Sequence, residues 1–372
     1  MKVAVLVSGG VDSSVALALL KEQGHDVTAF YLKIWLEDEV AYLGECPWEE
    51  DLAFARATCQ KLGVPLEVRS LQTEYWDHVV TYTLREIREG RTPNPDMLCN
   101  THIKFGFFQD MIDSPSLCFQ STTKNGQSCG VVGGVARYEK IATGHYAQVE
   151  EKDGVFYLKK SPDAVKDQTY FLARLTQKQL KRALFPIGHL TKPQVRELAK
   201  SYDLPNKDRK DSQGICFLGK IKFTDFVRHH LGERLGNIVE LESGTILGQH
   251  KGFWFYTIGQ RQGIGLAGGP WYVAAKDVQT NTVSISRAYY DEDKERNSFY
   301  LMHPEWSAGT RPEKTELQVK LRHGAAVHAC TLTWDDDRCL VKLATRDQGI
   351  APGQFAVFYD GEYCIGAGII AL

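Results

Sequence analysis

The chain has 372 residues, of which 43% are hydrophobic and 24% are charged, and its formal net charge is −2. This is the composition of an ordinary globular protein of two or three domains, and it excludes a uniformly basic nucleic-acid-binding protein. No stretch approaches the roughly 20 apolar residues that span a bilayer, and the nine cysteines include no CxxC pair, which indicates a reducing compartment. We expect a soluble protein without a membrane partner, in the cytoplasm, or in an organelle if a targeting segment was trimmed.

The N-terminal segment is the most informative part of the chain. Residues 3–7 form an apolar, β-branched run typical of a buried strand, Gly9 and Gly10 permit a tight turn, and Ser13 opens an amphipathic run. The amides of such a turn and the positive end of the helix dipole bind oxyanions without a lysine. A Walker loop needs GxxxxGK[ST], which is missing here. The alternative is an ordinary glycine turn capped by Asp12 or Ser13.

The first part of the chain alternates between predicted strands and helices. This βαβ pattern predicts a parallel sheet with helices on both faces and a ligand at the carboxyl ends of the strands. The strands are expected at 3–7, 27–32, 66–70 and 140–143, and the helices at 49–62 and 75–89. Two prolines, Pro93 and Pro95, exclude a helix until about Leu98. Residues 113–134 have no periodicity and are predicted to be a loop insertion.

The predicted secondary structure changes in the rest of the chain. A hairpin is expected at 147–160, and helices are expected to follow through about residue 201. Ten Lys or Arg lie between residues 174 and 210, and they form either a phosphate-contacting surface or a solvated helix face. Short strands are then expected at 253–258, 271–275, 282–286, 317–322, 327–334, 340–343, 356–359 and 364–370. Their regular spacing without helices predicts an antiparallel barrel for about the last hundred residues. We therefore predict an α/β nucleotide-binding domain (1–205), a small central domain (206–275) and a C-terminal β-barrel (276–372).

Two cysteines stand in unusual contexts. Cys99 follows a rigid turn and is expected at the start of a helix, where a thiol has a lowered pKa. Cys216 lies in a loop beside Gly214. The alternative for each is a small buried hydrophobic residue, the usual environment of a free cysteine.

Several motifs together resemble a known family. The segment 8–13 (SGGVDS) resembles the PP-loop of the ATP pyrophosphatases. Further segments, in order along nearly the whole chain, resemble the tRNA-specific 2-thiouridylases, which modify the wobble uridine: 90–100 (GRTPNPDMLCN), 103–105 (IKF), 142–146 (ATGHY), 166–168 (KDQ), 211–216 (DSQGIC), 256–261 (YTIGQR) and 351–354 (APGQ). The insertion at 113–134 departs from the family pattern without touching a motif.

The resemblance implies a sulfur-transfer mechanism. The uridine C2 oxygen would attack the α phosphate of ATP, and a persulfide on Cys216 would then attack C2. Cys99 would complete the transfer, which releases AMP and leaves a Cys99–Cys216 disulfide, and Asp96 would act as the general acid or base. The implied partners are tRNA and a sulfur-donor protein that carries a persulfide, and we expect a monomer. An iron–sulfur cluster is not expected without a CxxC pair, although three ligands scattered along the chain remain an alternative.

The resemblance also implies binding residues. ATP would be bound by Leu6, Val7, Ser8, Gly9, Gly10, Val11, Asp12, Ser13, Leu32 and Gly144, with Mg²⁺ held by Asp12. The flipped base would meet Asn94, Pro95 and Asp96. The tRNA would be contacted by His145, Lys166, Asp167, Gln168, Arg322, His323 and Gln354.

Two other functions remain open at this stage. A PP-loop amide ligase or amidotransferase would use the same ATP chemistry but would not need paired thiols. A non-catalytic RNA-binding protein would keep the nucleotide pocket without turnover, and pyrophosphate release that depends on tRNA would exclude it.

Overall fold

The computed structural model describes residues 1–34, 48–114, 138–210, 222–288, 296–347 and 349–371. These residues form three sheets: a five-stranded sheet, a four-stranded sheet and an eight-stranded sheet. None of the helices described has the length and apolar character needed to cross a membrane.

The N-terminal sheet is parallel, as predicted. Its strands are β1 (Lys2–Leu6), β2 (Asp26–Lys33), β3 (Leu66–Ser70), β4 (Lys140–Ala142) and β7 (Ala183–Leu184), in the order β3-β2-β1-β4-β7. Residues 3–5 of β1 are completely buried because helices cover both faces of the sheet, which explains the continuous apolar run. The two-residue strand β7 was not anticipated, since it is too short to carry a pattern.

Helices pack on each face of this sheet. One face is covered by α1 (Val11–Glu22) and α2 (Trp48–Leu62), and α9 (Lys192–Ser201) packs against α1. The other is covered by a long helix made of α3 (Gln72–Tyr75), a π-helical segment (Trp76–Val80) and α4 (Thr81–Arg88), and by a second one made of α5 (Pro95–Leu98), a π-helical segment (Cys99–Phe107) and α6 (Phe108–Asp113). Both sets of helices therefore hold β1 and its following loop in the middle of the domain.

A small sheet follows in the middle of the chain. Short helices α7 (Thr169–Leu172) and α8 (Gln177–Arg182) precede α9, and α10 (Phe223–Leu231) leads to β8 (Gly236–Glu240), β9 (Ile246–His250), β10 (Tyr272–Asp277) and β11 (Thr282–Ser286). The strand order is β10-β11-β8-β9 around its own apolar core. The domain boundaries near 205 and 275 stay predictions.

The C-terminal strands form the predicted barrel, but the predicted strands 271–275 and 282–286 belong to the small sheet and not to the barrel. Six strands run in the order β12-β15-β14-β13-β16-β17, and pairing of β12 with β17 closes them: β12 (Ser298–Trp306), β13 (Glu316–Lys320), β14 (His328–Asp335), β15 (Arg338–Leu343), β16 (Phe355–Asp360) and β17 (Tyr363–Ala371). The predicted hairpin, β5 (Ala147–Lys152) and β6 (Val155–Lys160), is also present. It extends the barrel sheet through β17, so the first domain and the barrel share a sheet.

Two secondary-structure predictions were wrong. Residues 253–258 do not form a strand: Phe253–Phe255 is a 3₁₀ turn after Gly252, whose φ of 143° redirects the chain, and Phe253 is buried in the core of the small sheet. The helix expected from Leu98 begins at Pro95 instead. Proline fits the first helical position because the N–H it lacks would have no partner there, and Asn94 caps this helix.

Candidate active site

The loop between β1 and α1 has the geometry of an anion-binding turn. Gly9 adopts a φ of +74°, and a Cβ at this position would lie 2.2 Å from the backbone oxygen of Asp51. Only glycine therefore allows the chain to turn this tightly against α2. The turn delivers the chain directly into the first residue of α1, so the amides at the start of this helix are available to an anion.

Two serines hold the loop together from inside. The Ser8 amide donates to Ser13 Oγ at 3.2 Å, and the two hydroxyl oxygens lie 3.3 Å apart. Ser13 Oγ in turn donates to the Gly10 carbonyl at 3.1 Å. The hydroxyls thus fix the shape of the turn and lie beside the space that a phosphate would fill.

A cavity of about 380 Å³ opens in front of this loop at the carboxyl end of the parallel sheet. Nine of the ten residues predicted to bind nucleotide line it: Leu6, Val7, Ser8, Gly10, Val11, Asp12, Ser13, Leu32 and Gly144. Gly144 lies so close to the loop that a Cβ would be 2.6 Å from the Ser13 nitrogen. Gly9 faces away, and its carbonyl accepts hydrogen bonds from Asn206 at 2.8 Å and Arg209 at 3.2 Å.

The Asp12 carboxylate forms an ion pair with Lys192. Lys192 Nζ contacts its two carboxylate oxygens at 2.7 and 2.9 Å, and the Tyr146 hydroxyl donates to Oδ1 at 3.0 Å. No group of three or more His, Cys, Asp or Glu in the described part of the chain is arranged to hold a metal by itself. Magnesium in nucleotide sites needs only one or two carboxylates besides the phosphates, but Lys192 Nζ already contacts both oxygens of Asp12, so a magnesium ion at Asp12 would have to displace this lysine.

Cys99 lines the same cavity as the loop between β1 and α1, residues 8–13, which is called the phosphate loop below. It lies one turn into the second long helix, not at its start, and it is 1% exposed. Burial raises the pKa of its thiol to about 11, against the lowering effect of Lys104, while Asp96 raises it further. The expectation of a helix-terminus thiol with a lowered pKa was therefore wrong, because the helix begins four residues earlier and apolar groups surround the sulfur.

Comparison with known proteins gives the family. Residues 1–220 match the family model described as "tRNA methyl transferase HUP domain", residues 224–287 "tRNA methyl transferase PRC-barrel domain", and residues 296–370 "Aminomethyltransferase beta-barrel domain". The chain is 44% identical over 378 residues to the tRNA-specific 2-thiouridylase MnmA of Parabacteroides distasonis, with 100% of this chain and 99% of that protein aligned. The chain belongs to the tRNA-specific 2-thiouridylase family.

Further relatives agree over the whole length. A tRNA-specific 2-thiouridylase MnmA of Porphyromonas gingivalis is 42% identical over 380 residues, covering 100% of this chain and 99% of the relative. One from Bacteroides fragilis, named tRNA-specific 2-thiouridylase MnmA 2, is 42% identical over 378 residues, and both chains are covered completely. The similarity thus includes all three parts of the fold.

The residues that the 2-thiouridylase resemblance assigned to the base lie at the start of α5, where Asn94 joins a partly buried hydrogen-bond network. Asn94 Oδ1 accepts from the Met97 amide at 3.2 Å, and the Asn94 side chain also bonds the Tyr170 hydroxyl. Tyr170 donates to the Phe355 carbonyl in the barrel at 3.0 Å. Pro95 is buried as the first residue of α5, and Asp96 is partly exposed beside it. The Asn94 side chain is therefore engaged in positioning α5.

The residues assigned to tRNA fall into two groups. His145, Lys166 and Gln168 line the nucleotide cavity, and burial together with Lys104 keeps the pKa of His145 well below its usual value. The other four lie at the junction with the barrel: Asp167, Arg322, His323 and Gln354. The structure thus brings three of these residues into the cavity and leaves the others outside it.

The four junction residues have protein partners. Asp167 is 3% exposed and pairs with Lys320 at 3.3 Å. Arg322 binds both oxygens of Asp347, at 2.7 and 3.0 Å. The His323 ring stacks on Phe171 at 4.7 Å and bonds the Asp167 backbone, and Gln354 donates to the Thr92 and Pro93 carbonyls at 3.1 and 3.3 Å.

The basic run at 174–210 is largely neutralised. Six of its ten cations contact a carboxylate, in the pairs Arg174–Glu305, Lys178–Asp110, Arg182–Asp113, Lys192–Asp12, Lys207–Asp203 and Arg209–Asp51. These pairs favour the structural interpretation of the run over a continuous phosphate-contacting surface.

Two sequence predictions lie outside the described residues. Cys216 falls in the range 211–221, and the insertion is described only at Asp113 and Ser114. The described cysteines are free thiols: Cys59, Cys99, Cys330, Cys339 and Cys364. Lys104 and Lys192 line or contact the site but were given no individual role from the sequence. Lys104 belongs to the family motif at 103–105, and Lys192 belongs to the basic run at 174–210.

Proposed function

We propose that this chain replaces the C2 oxygen of a tRNA uridine with sulfur in an ATP-dependent reaction. One observation supports the proposal: in a member of the 2-thiouridylase family, the glycine loop at the start of α1 and Cys99 line one cavity. An activated base held at the loop would therefore be within reach of a thiol in the same space.

The proposed reaction has three steps. The uridine C2 oxygen attacks the α phosphate of ATP, which forms an adenylated base and releases pyrophosphate to the Ser8–Ser13 loop. The terminal sulfur of a Cys216 persulfide then attacks C2, and AMP leaves with the former C2 oxygen. Finally the Cys99 thiolate attacks Cys216 Sγ, so the sulfur–sulfur bond breaks, C2 keeps the sulfur, and a disulfide remains for an external dithiol to reduce.

Further components belong to this proposal. Mg²⁺ would be held by Asp12 together with phosphate oxygens, where it would neutralise phosphate charge. A sulfur-donor protein would load the persulfide, and the wobble uridine would be the target base. The free thiols of the described cysteines suit a reducing compartment such as the cytoplasm.

Mass spectrometry of tRNA tests the proposal directly. Purified protein is incubated with unmodified tRNA, ATP and a persulfide source, and digested nucleosides are analysed for 2-thiouridine. The wild type should form it and should release pyrophosphate only when tRNA is present. Cys99→Ser and Cys216→Ser should form none.

The control and the rival functions are separated in the same experiment. Cys59→Ala removes a thiol buried against the sheet at α2 and should keep thiolation close to the wild-type level. Full ATP-dependent activity on a carboxylate substrate in both Cys→Ser variants would identify an amide ligase instead. Binding of tRNA without any pyrophosphate release would identify a non-catalytic RNA-binding protein.

A further inference from the structure

We propose that Lys104 is a positioning residue that stabilises the thiolate of Cys99. The proposal rests on the sulfur transfer proposed above, whose last step needs an ionised thiol on Cys99. It addresses a difficulty that the structure reveals, since Cys99 lacks the helix terminus that the sequence had suggested as its activator.

The π-helical segment Cys99–Phe107 brings the two residues together. In an α-helix, residues five positions apart point about 140° away from each other. In a π-helix the hydrogen bonds join residues five apart, so these residues lie about one turn apart and closer to the same face than they would in an α-helix. Cys99, Ile103 and Lys104 accordingly all line the cavity in front of the phosphate loop.

The wide helical turn is held in place by α8. Gln179 Nε2 donates to the carbonyls of Thr101 at 2.9 Å and Phe105 at 3.0 Å, both within the π-helical segment. A Cβ at Gly106 would lie 3.0 Å from the Thr101 oxygen, so the segment is also tightly packed against itself. These contacts hold the π-helical backbone through which Cys99 and Lys104 both reach the cavity.

The ammonium group of Lys104 is oriented by a buried amide. Lys104 Nζ donates to Asn100 Oδ1 at 2.9 Å, and Asn100 Nδ2 donates to the Phe171 carbonyl at 3.1 Å. Asn100 is 3% exposed. A cation held this way keeps its charge near the thiol without the entropic cost of ordering a free lysine.

The other charged groups around the thiol do not supply this cation. Besides Cys99 and Lys104, the titratable side chains that line the cavity are Asp12, Tyr31, Asp51, His145, Tyr146, Lys166 and Lys210. His145 is neutral near pH 7 because burial and Lys104 lower its pKa well below the usual value. Of the charges acting on the thiol, Lys104 lowers the pKa of Cys99 and Asp96 raises it, so Lys104 is the group that opposes the cost of burial.

The test measures the Cys99 thiol itself. The full chain is treated with iodoacetamide from pH 7 to pH 10.5, and alkylation of the Cys99 peptide is quantified by mass spectrometry. Loss of the Lys104 charge should raise the pKa of the Cys99 thiol, which lowers the fraction of thiolate. Lys104→Met should therefore slow alkylation of Cys99 about tenfold relative to the wild type at each pH below the pKa of this thiol. Lys104→Arg, which keeps the charge, should restore most of the rate, and Lys166→Met is the control for loss of another cation in the same cavity.

The outcomes separate this role from others. If Lys104→Met weakens ATP binding but leaves the pH profile of Cys99 unchanged, Lys104 is a phosphate ligand and the proposal is wrong. If Lys104→Met and Lys104→Arg slow alkylation equally, packing and not charge is responsible, which also overturns it. Since alkylation needs neither tRNA nor ATP, failure of the thiolation reaction would not change this result.

Discussion

Gly144 shows how one residue can set the geometry of the nucleotide site. It follows β4 and touches the phosphate loop so closely that a Cβ would be 2.6 Å from the Ser13 nitrogen. The backbone atoms on both sides are fixed by the sheet and by α1, so neither can move away cheaply.

We predict that Gly144→Ala abolishes or strongly weakens ATP binding. The added methyl group should displace the Ser13 amide from the phosphate position, and isothermal titration calorimetry should show an affinity at least about tenfold lower. The matched control is Gly248→Ala in β9, where the methyl group would meet only a flexible Leu266 side chain at 3.1 Å. Equal ATP affinity for wild type and Gly144→Ala would contradict the assignment of this loop.

At the scale of elements, the barrel supports the loop that precedes Cys99. The Thr92 amide donates to the Pro352 carbonyl at 2.8 Å, and Gln354 Nε2 donates to the carbonyls of Thr92 and Pro93. A Cβ at Gly353 would lie 2.8 Å from Arg91 Cβ, so the two segments are in close contact. The β16 end of the barrel therefore helps to hold the start of the helix that carries Asp96 and Cys99.

We predict that Gln354→Leu lowers the rate of thiolation more than it weakens tRNA binding. The substitution leaves two carbonyls without their donor, which should cost about 1–3 kcal/mol of stability and loosen the loop. Gln318→Leu, at an exposed position of the same barrel, is the control. Steady-state kinetics and tRNA-binding assays measure the two effects, and loss of binding alone would instead support direct contact of Gln354 with tRNA.

At the scale of the whole molecule, a buried ion pair joins the first domain to the barrel. Lys320 of β13 and Asp167 are 5% and 3% exposed, and their charged atoms lie 3.3 Å apart. Asp167 also accepts hydrogen bonds from the Ser161 amide at 3.1 Å and the Thr169 hydroxyl at 2.8 Å. Because the carboxylate is satisfied on both oxygens, the pair fixes the segment that carries Lys166 and Gln168.

We predict that breaking this pair is costly and that removing both charges is less so. Lys320→Met should lower the free energy of unfolding by about 3–5 kcal/mol, because an unpaired carboxylate stays buried. Adding Asp167→Asn should recover part of the loss in urea denaturation. Lys314→Met breaks the exposed barrel pair with Asp360 and should cost less than about 1 kcal/mol. Additive effects of the two substitutions in the buried pair would contradict strong coupling.

The sequence predicted what depends on local pattern. Strand β1 and its glycine loop were predicted because apolar β-branched residues followed by glycines have few other structures available, and the barrel followed from its short alternating strands. The pairing of Asp167 with Lys320 joins positions 153 residues apart in the chain, which no local pattern can show. The burial of Cys99 likewise depends on packing against the sheet, so its raised pKa could not be predicted from its neighbours in sequence.

In the proposed reaction, ATP activates the uridine C2 oxygen and sulfur then replaces it. The most direct measurement uses tRNA whose target uridine carries ¹⁸O at C2, incubated with the protein, ATP and a persulfide source. We predict that one ¹⁸O atom appears in the phosphate group of AMP for each 2-thiouridine formed. Formation of 2-thiouridine with unlabelled AMP would contradict the account.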